Sequence, residues 1–467
     1  MLSPGAFERR LAAAGSYSLL VFLAFFAMLA YWQAFRTDLA DDDRNPRVLS
    51  AFHDPGRGKI LDREGNVLAE SLGDGTRYYH DASVAHAVGY LDPRYGSQGV
   101  ELAFNQELTG QRPTGWAGAF SAEFERNRLE GNDIRLTIDR EVQAAAARAL
   151  GARRGAVIAL DPLNGDVLAM VSVPTYDPGG LGTVGDALFN DPDAPLLNRA
   201  TQGLYPPGST FKTVTAIAAL GSGVITPETM VECPGEIVID GFPISCRNVP
   251  QGVGTYPFRD AYTFSVNAIF AEVGVKTGWE RLLRTARSFG FEQPLDFTLE
   301  TAASQVYAPG SELTRVLLAS TAFGQGELLA TPLQMALVAA TIANGGEMAR
   351  PRLTLGAFGD NNQLIRELEH PAARPVIDAT LARTMRDFMV SVVETGQAGG
   401  VSIPGVRVAG KTGTAEAGDG TSHAWFIAFA PAEEPRVAVA VVVENGGQGG
   451  VVASPIAGAV IRAALGR

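Results

Sequence analysis

A serine and a lysine stand three residues apart, at Ser209 and Lys212, directly after a Pro-Pro-Gly turn. The segment from Ser209 to Leu220 is largely apolar, and a helix that begins just after such a turn is a common pattern. Residues three apart on a helix share one face, so the hydroxyl and the ammonium can meet. A lysine whose pKa is lowered by burial or by a neighbouring cation can take the proton of a serine. The pair therefore predicts a serine nucleophile activated by lysine, and the alternative is a solvent-facing lysine on an ordinary helix.

A second polar pair, Ser265 and Asn267, lies in the apolar stretch from Ala261 to Thr277, which we predict to be one helix. A buried hydroxyl and a buried amide need hydrogen-bond partners, so a binding or catalytic role is one interpretation. A helix cap or a packed polar pair is the other.

Lys-Thr-Gly occurs twice, at Lys276 and at Lys411. The first copy ends a predicted helix, where a lysine in the last turn and a following glycine are ordinary helix-stop residues. The second copy ends a strand predicted over 407–412 and continues to Thr414. A glycine there lets a ligand approach the backbone, and free edge amides bind extended peptides. We therefore predict that only the second copy binds substrate.

An apolar stretch from Leu11 to Phe35 is long enough to cross a bilayer. Arg9 and Arg10 precede it and aspartates at 38 and 41–43 follow, so the positive-inside rule predicts a cytoplasmic N-terminus. The length favours an uncleaved signal anchor over a cleaved signal peptide. The net charge of −12 and the lack of basic runs argue against nucleic-acid binding. The two cysteines and five scattered histidines show no metal-ligand spacing.

The remaining pattern predicts an α+β fold. A hairpin is predicted at residues 60–68, a strand at 133–137, and a helix from Arg140 to Leu150 that Asp139 caps. Two strands, 156–160 and 167–171, open the larger part of the chain, and three strands, 407–412, 424–430 and 437–443, return near its end. Helices are predicted at 261–277, 280–288, 312–319, 331–343 and 454–465. This order indicates one sheet built from both ends of a domain, with helices between.

The two cysteines, Cys233 and Cys246, flank a segment that predicts a hairpin with Asp240-Gly241 at its turn. Residues across a hairpin can reach disulfide geometry, and the compartment outside the membrane permits oxidation. Two buried thiols are the alternative, and the sequence leaves both open.

The order Ser-x-x-Lys, Ser-x-Asn, Lys-Thr-Gly resembles the signature of penicillin-binding proteins and serine β-lactamases. Other parts of the chain look like the class B penicillin-binding proteins, and these are Arg57–Ala69, Gly155–Pro174, Tyr205–Lys212, Gly324–Gly326, Thr331–Ala336, Lys411–Glu416 and His423–Phe426. The resemblance implies an antiparallel transpeptidase domain with a helical subdomain. It also implies a D,D-transpeptidase that cross-links peptidoglycan stem peptides ending in D-Ala-D-Ala and that β-lactams acylate, without a cofactor or metal.

The resemblance also assigns roles to residues. Ser209 attacks the carbonyl, Lys212 takes its proton, and Ser265 relays a proton to the leaving amine. Asn267 and the run Lys411-Thr412-Gly413-Thr414 bind substrate, and the backbone N–H groups of Ser209 and Thr414 form the oxyanion hole.

The predicted domains are a cytoplasmic tail and transmembrane anchor (1–36), a short non-catalytic pedestal (37–150) and the transpeptidase domain (151–467). The pedestal lacks the Glu-Asp-x-x-Phe motif of glycosyltransferase modules. A SEDS-type membrane glycosyltransferase is therefore the implied partner, and the catalytic domain is expected outside the cytoplasmic membrane.

Three functions compete on the sequence: a transpeptidase, a hydrolase of the same fold, and a non-catalytic scaffold. The intact motifs disfavour a scaffold, and the anchor with its pedestal disfavours a secreted β-lactamase. A Ser/His hydrolase would use His423, but no Gly-x-Ser-x-Gly elbow supplies its serine. We favour the transpeptidase.

Overall fold

The structure, a computed structural model, describes residues 4–34, 56–110, 131–246, 253–359, 362–367, 371–418 and 420–467. Its helices are α1 (Pro4–Ala34), α2 (Ala85–Val88), α3 (Gly99–Ala103), α4 (Asn105–Leu108), α5 (Arg140–Leu150), α6 (Leu181–Phe189), α7 (Lys212–Gly221), α8 (Phe258–Thr263), α9 (Asn267–Thr277), α10 (Trp279–Ser288), α11 (Arg315–Ala322), α12 (Pro332–Ala343), α13 (Ala379–Glu394) and α14 (Gly449–Ala464).

The strands are β1 (Ile60–Leu61), β2 (Val67–Ser71), β3 (Arg77–Tyr79), β4 (Leu91–Asp92), β5 (Gly96–Ser97), β6 (Asp133–Leu136), β7 (Gly155–Leu160), β8 (Val167–Val173), β9 (Met230–Cys233), β10 (Glu236–Ile239), β11 (Phe242–Ser245), β12 (Gly254–Pro257), β13 (Glu347–Met348), β14 (Thr354–Phe358), β15 (Leu364–Glu367), β16 (Arg374–Pro375), β17 (Ala409–Glu416), β18 (Ser422–Ala430) and β19 (Val437–Val443).

The first helix contains a segment, Ala13–Tyr31, that is long and apolar enough to cross a membrane, and its side chains are exposed. A 19-residue helical segment is close to the length that a hydrocarbon core requires. The aspartates that set the predicted orientation lie outside the described residues. The helix fits a membrane anchor.

A five-stranded antiparallel sheet forms the centre of the larger domain, in the order β17-β18-β19-β7-β8. All seven residues of β19 are buried, because α12 and α14 both pack against the sheet. A sheet covered on both faces requires nearly continuous apolar strands, which is what β7 and β19 provide. The predicted α+β architecture, one sheet from both ends of the domain, is confirmed.

The pedestal contains a second sheet, in the order β15-β14-β6-β1-β2-β3. Two of its strands, β14 and β15, come from residues 354–367, because β14 pairs with β6 through Ala357 and Ile134. Strand pairing therefore ties the pedestal to a segment far along the chain. The predicted hairpin β1–β2 is present, and Asp139 caps α5 by accepting the N–H groups of Glu141 and Val142, as predicted.

A buried ion triad fixes the beginning of the pedestal. The two oxygens of Glu101 are shared between two arginines, with Arg57 Nη2 at 2.7 Å and Arg77 Nε at 2.6 Å, and all three side chains are almost fully buried. Burial opposes ionisation of Glu101, but the two arginines outweigh it and lower the pKa of this carboxyl. The Arg57-Gly58 motif of the sequence therefore has a structural role in the pedestal.

Two element predictions need correction at the site. The single helix predicted over 261–277 is two helices, α8 and α9, because Ser265 adopts a left-handed conformation (φ 60°) between them. The strand predicted over 407–412 begins at Ala409 and runs to Glu416, because its pairing with β18 continues to Ser422. Lys-Thr-Gly therefore lies inside the strand and not at its end.

The first residues of two further helices differ from the predicted ones, because apolar periodicity does not show where a helix is capped. Thr314 caps α11 by accepting the N–H of Leu317, so this helix starts three residues later than predicted. The last helix starts at Gly449 and continues through Pro455, which sits in its first two turns. Helices α6 and α13 and the short strands β9 and β12 were not predicted.

The two cysteines lie beside a hairpin whose strands are β10 and β11, paired from Glu236–Ser245 to Ile239–Phe242. The two turn residues, Asp240 and Gly241, both have positive φ, as an Asp-Gly turn requires. The structure pairs Cys233 with Cys246, and their Cα atoms are 6.0 Å apart, a usual separation for a disulfide. This geometry favours the disulfide, which stays a prediction.

Candidate active site

Ser209 lies in a single 3₁₀ turn, Gly208–Phe211, that leads directly into α7. Gly208 has φ 54°, and a Cβ at this position would lie 2.8 Å from the carbonyl oxygen of Thr414. The N–H of Gly208 donates to the carbonyl of Gly324 (2.9 Å). The positive φ and the close approach to Thr414 both require glycine, so the Pro-Pro-Gly turn places the serine directly against strand β17. The side chain of Ser209 is half-buried.

Lys212, the first residue of α7, is completely buried. Its Nζ donates to the carbonyl of Ser265 (2.7 Å), to Asn267 Oδ1 (2.6 Å) and, at 3.2 Å, to Ser265 Oγ. The ring of Phe270 lies under the ammonium, with its centroid 5.4 Å away. The structure therefore brings the first and second motifs together through this lysine.

The hydrogen bond expected between Ser209 and Lys212 is not formed: within the described parts of the chain, the Ser209 hydroxyl makes no hydrogen bond. The Nζ of Lys212 is turned to Ser265 and Asn267 instead. Catalytic hydrogen bonds are often loose without substrate, and both side chains still belong to one turn of helix.

Lys411 brings the third motif to the same point. It is completely buried inside β17, and its Nζ donates to Ser265 Oγ (2.9 Å) and to the carbonyl of Thr412 (3.2 Å). The ring centroid of Tyr262 is 5.6 Å from this ammonium. The hydroxyl of Ser265 therefore sits between two lysines, one from each neighbouring motif.

The left-handed backbone of Ser265 explains how one serine serves both lysines. It presents its carbonyl and its hydroxyl to Lys212 while the hydroxyl also reaches Lys411. A non-glycine residue in this region costs of order 1–3 kcal/mol and persists where the surroundings over-determine it. The break between α8 and α9 therefore belongs to the architecture of the site.

Both buried amines bind a proton more weakly than the amine of an exposed lysine does. Burial lowers the pKa of Lys411 to about 7. Burial and then the charge of Lys411 lower the pKa of Lys212 well below its usual value. No salt bridge within the described residues reaches either lysine; the recorded partners are hydroxyl, carbonyl and amide oxygens. These shifts favour loss of the proton from Lys212 while Lys411 keeps its charge.

The rest of the third motif faces the nucleophile turn. A Cβ on Gly413 would lie 2.8 Å from the carbonyl of Pro207, so the glycine is what allows the turn to pack on the strand. Thr412 is nearly buried, and Thr414 is exposed. Strand β17 is at the edge of the sheet. The two N–H groups predicted to form the oxyanion hole, those of Ser209 and Thr414, thus come from two segments that touch.

The other candidates lie elsewhere in the fold. Lys276 is in the last turn of α9, its side chain is 62% exposed, and it pairs with Glu272 at 2.8 Å. This copy of Lys-Thr-Gly shows helix-end geometry. His423 Nδ1 accepts the backbone N–H of Asn445 (3.1 Å), which is a structural contact.

Some members of the site carried no signal in the sequence. The aromatic rings of Tyr262 and Phe270 lie beside the amines of Lys411 and Lys212. In the sequence, these two residues look like ordinary members of an apolar core. Glu444, which binds the hydroxyl of Tyr205 at 2.8 Å, stands just after a strand among exposed-looking loop residues. Only the three-dimensional packing identifies these groups.

Comparison with known proteins assigns both folded parts of the chain to families. Residues 155–462 match the penicillin binding protein transpeptidase domain, and residues 57–134 match the penicillin binding protein A dimerisation domain. The peptidoglycan D,D-transpeptidase PbpA of Mycolicibacterium smegmatis is 37% identical, over 93% of this chain and 94% of that protein. The peptidoglycan D,D-transpeptidase MrdA of Acinetobacter baumannii is 30% identical, over 80% of this chain and 64% of that protein.

Solved structures give the same result. Penicillin-binding protein A from Mycobacterium tuberculosis, solved as a ceftriaxone acyl-enzyme complex, superposes with a TM-score of 0.81 at 35% identity, covering 89% of this chain and all of that one. The Pseudomonas aeruginosa PBP2 complex with WCK 5153 superposes with a TM-score of 0.75 at 32% identity, covering 88% of this chain and 95% of that one.

Proposed function

Since this chain belongs to the class B penicillin-binding proteins and is a peptidoglycan D,D-transpeptidase, we propose that Ser209 is the residue that stem peptides and β-lactams acylate. The observation that carries the assignment is the convergence of three motifs: Lys212 and Lys411 share the hydroxyl of Ser265, and the turn bearing Ser209 rests on β17. This is a serine nucleophile beside a buried lysine pair, with no histidine needed.

Acylation begins when neutral Lys212 takes the proton of Ser209. The serine oxygen then bonds to the carbonyl carbon of the penultimate D-alanine, and the oxyanion is stabilised by the N–H groups of Ser209 and Thr414. The C–N bond to the terminal D-alanine breaks, and the leaving amine receives a proton from Lys212 through Ser265. An acceptor amine on a second stem peptide then attacks the ester carbonyl and gives a proton to Lys212. The bond to the Ser209 oxygen breaks, this oxygen takes the proton from Lys212, and the cross-link is complete.

The remaining side chains bind and orient the substrate. Asn267 Oδ1 fixes Lys212 Nζ at 2.6 Å, and its amide N–H₂ is available for the acyl chain. Charged Lys411 stabilises the negative charge that develops in the transition state. Thr412 and Thr414 receive the substrate carboxylate along the free edge of β17, where the bound peptide adds as a strand.

The chain acts at the outer surface of the cytoplasmic membrane. Ala13–Tyr31 supplies a membrane anchor, the N-terminus stays inside, and residues 37–150 raise the transpeptidase domain from the bilayer. A SEDS-type glycosyltransferase in the same membrane supplies the glycan strands, because the pedestal sheet carries no polymerising motif. The pair would thus divide polymerisation and cross-linking between two proteins.

Labelling with a fluorescent penicillin tests this assignment. We expect the purified full chain to form a covalent adduct on the peptide that contains Ser209 and to turn over nitrocefin slowly, since a hydrolase needs general-base activation of water, which typically contributes about 10²–10⁴-fold in rate. The recorded partners of Lys212 and Lys411 include no carboxylate that would activate water. Turnover at many cycles per minute would indicate a hydrolase instead.

The acylation rate should depend on pH through the two lysines. The pKa of Lys411 is about 7, so a rise in pH past this value removes the charge that stabilises the transition state, and we expect acylation to slow. In Lys411→Arg the guanidinium stays charged, so the alkaline decline should disappear even if the plateau is lower. Stopped-flow acylation between pH 5 and 10 measures this, with Lys276→Arg as the matched control. An alkaline limb that is unchanged in Lys411→Arg would assign the titration to another group.

A further inference from the structure

Glu444 stands at the end of the central strand β19, next to the segment that leads to the nucleophile. One carboxylate oxygen, Oε1, accepts hydrogen bonds from Arg199 Nε (2.7 Å) and from the hydroxyl of Tyr205 (2.8 Å). The other, Oε2, lies 3.0 Å from Arg154 Nε. The side chain of Glu444 is 13% exposed. A single carboxylate therefore ties the central strand to Tyr205, four residues before Ser209.

Arg199 holds this carboxylate in a fixed direction. Its guanidinium is 2% exposed, and its two terminal nitrogens donate to the carbonyls of Ala194 (2.9 Å) and Asp193 (2.6 Å). Burial alone would raise the pKa of Glu444, but the hydrogen bonds from Arg199 and Tyr205 and the nearby arginine charges lower it. The hydroxyl of Tyr205 therefore faces an ionised acceptor, which makes the hydrogen bond a charge-assisted one.

Backbone hydrogen bonds and ring contacts hold Tyr205 in position from several sides. Its backbone N–H and carbonyl pair with Ala330 at 3.1 and 2.8 Å. Its ring meets His423 and Trp425 edge-on, at centroid distances of 5.5 and 6.2 Å. A Cβ on Gly203 would lie 2.6 Å from the tyrosine ring, so a glycine is needed beneath it. This much packing fixes the position of one side chain outside the reacting groups.

The link from Tyr205 to the nucleophile is stiff. Two prolines follow Tyr205 and restrict the backbone, and the carbonyl of Pro207 accepts the hydroxyl of Thr210 (2.7 Å). A displacement of Tyr205 therefore also displaces Ser209. Misplacement of a reacting group by about 1 Å can cost about 10²-fold in rate.

We propose that Glu444 is a positioning residue of the acyl-transfer reaction, which acts through the hydroxyl of Tyr205 to set the position of Ser209 against β17. The proposal rests on the assignment of Ser209 as the acylated residue. Glu444 makes no contact with the substrate in this role. Its carboxylate fixes Tyr205, and Tyr205 fixes the turn.

Acylation kinetics of the full chain in detergent test the proposal. We measure the affinity of the first, non-covalent penicillin complex and the rate constant of acylation separately. We expect Tyr205→Phe and Glu444→Ala each to lower the acylation rate constant by about tenfold, within the range of a small misplacement, and to leave the affinity of the first complex within about twofold. Glu444→Gln keeps an acceptor oxygen for the hydroxyl and should retain most of the rate.

The double variant separates positioning from general stability. If Glu444 acts through Tyr205, adding Glu444→Ala to Tyr205→Phe should lower the acylation rate constant no further, because the two effects are coupled. The unfolding temperature should still fall in both backgrounds, because Arg199 loses its partner. Asp166 is the matched control: it is a buried carboxylate paired with Arg352 at 2.6 Å, and Asp166→Ala should lower the unfolding temperature without slowing acylation.

Additive losses, or a wild-type acylation rate in Tyr205→Phe, would overturn the proposal. The acylation rate of Tyr205→Phe can be measured even if Glu444→Ala does not fold, because Tyr205→Phe removes only a hydroxyl. Equal slowing by Asp166→Ala would also overturn it, since the effect would then be one of stability. An adduct mapped to a serine other than Ser209 would instead refute the assignment on which the proposal rests, so the two failures are distinguishable.

Discussion

The Ser209→Ala variant is expected to form no covalent adduct with a fluorescent penicillin while keeping its fold. Within the described residues, the hydroxyl that accepts hydrogen bonds from both Lys212 and Lys411 is that of Ser265. Ser265 is 6% exposed, whereas Ser209, the second residue of its turn, is half-buried. A buried hydroxyl that already accepts two hydrogen bonds is a weak nucleophile. Gel fluorescence after denaturation measures the adduct, and thermal unfolding checks the fold.

Ser265→Ala is the matched control for this result. It removes the shared acceptor but leaves the nucleophile, so labelling should be slower and should still map to the peptide that contains Ser209. An adduct found on Ser265 in the Ser209→Ala variant would exchange the roles of the two serines and contradict our assignment.

Lys411→Ala should slow penicillin acylation by about 10²–10³-fold, the usual loss when one preorganised contact to the transition-state charge is removed. Two effects add in the same direction. The variant loses the cation that faces the developing negative charge, and Lys212 loses the neighbouring charge that lowers its pKa. Lys212 would then be protonated more often and would serve less well as a base. Pre-steady-state acylation at neutral pH measures the change.

Lys276→Ala gives the comparison within the same motif. This lysine precedes Thr-Gly as Lys411 does, but it lies on the surface and pairs with Glu272 one turn away. We expect acylation within about twofold of the wild type and a stability loss of at most about 0.3–1 kcal/mol, the value of a charge at a helix end. Collapse of acylation in Lys276→Ala with survival in Lys411→Ala would reverse the choice between the two copies.

The sequence was sufficient for those parts of the site that depend on local chemistry. Turn residues, caps and motif spacing identified Ser209 at a helix start, the cap at Asp139 and the strand character around Lys411. Continuous apolar runs were enough to predict the central sheet, because a strand buried on both faces has no other pattern.

Features that depend on partners distant in sequence were not predictable. Apolar periodicity continues across Ser265, so nothing local marks the break between α8 and α9; the break is stabilised by lysines 53 and 146 residues away. The same holds for β14, which joins the pedestal because β6 offers an open edge. The orientation of Lys212 toward Ser265 also arises from tertiary packing.

The order of the central sheet has a consequence for biosynthesis. Strands β7 and β8 leave the ribosome early, but their neighbours β17, β18 and β19 occupy residues 409–443, near the end of translation. Until that segment has been synthesised, β7 has one unpaired edge and the turn of Ser209 has no strand to rest on. Contacts this distant in sequence also form slowly during folding. A nascent or prematurely terminated chain therefore carries Ser209 and Lys212 without Lys411, so the serine is not activated before the last strands of the domain have formed.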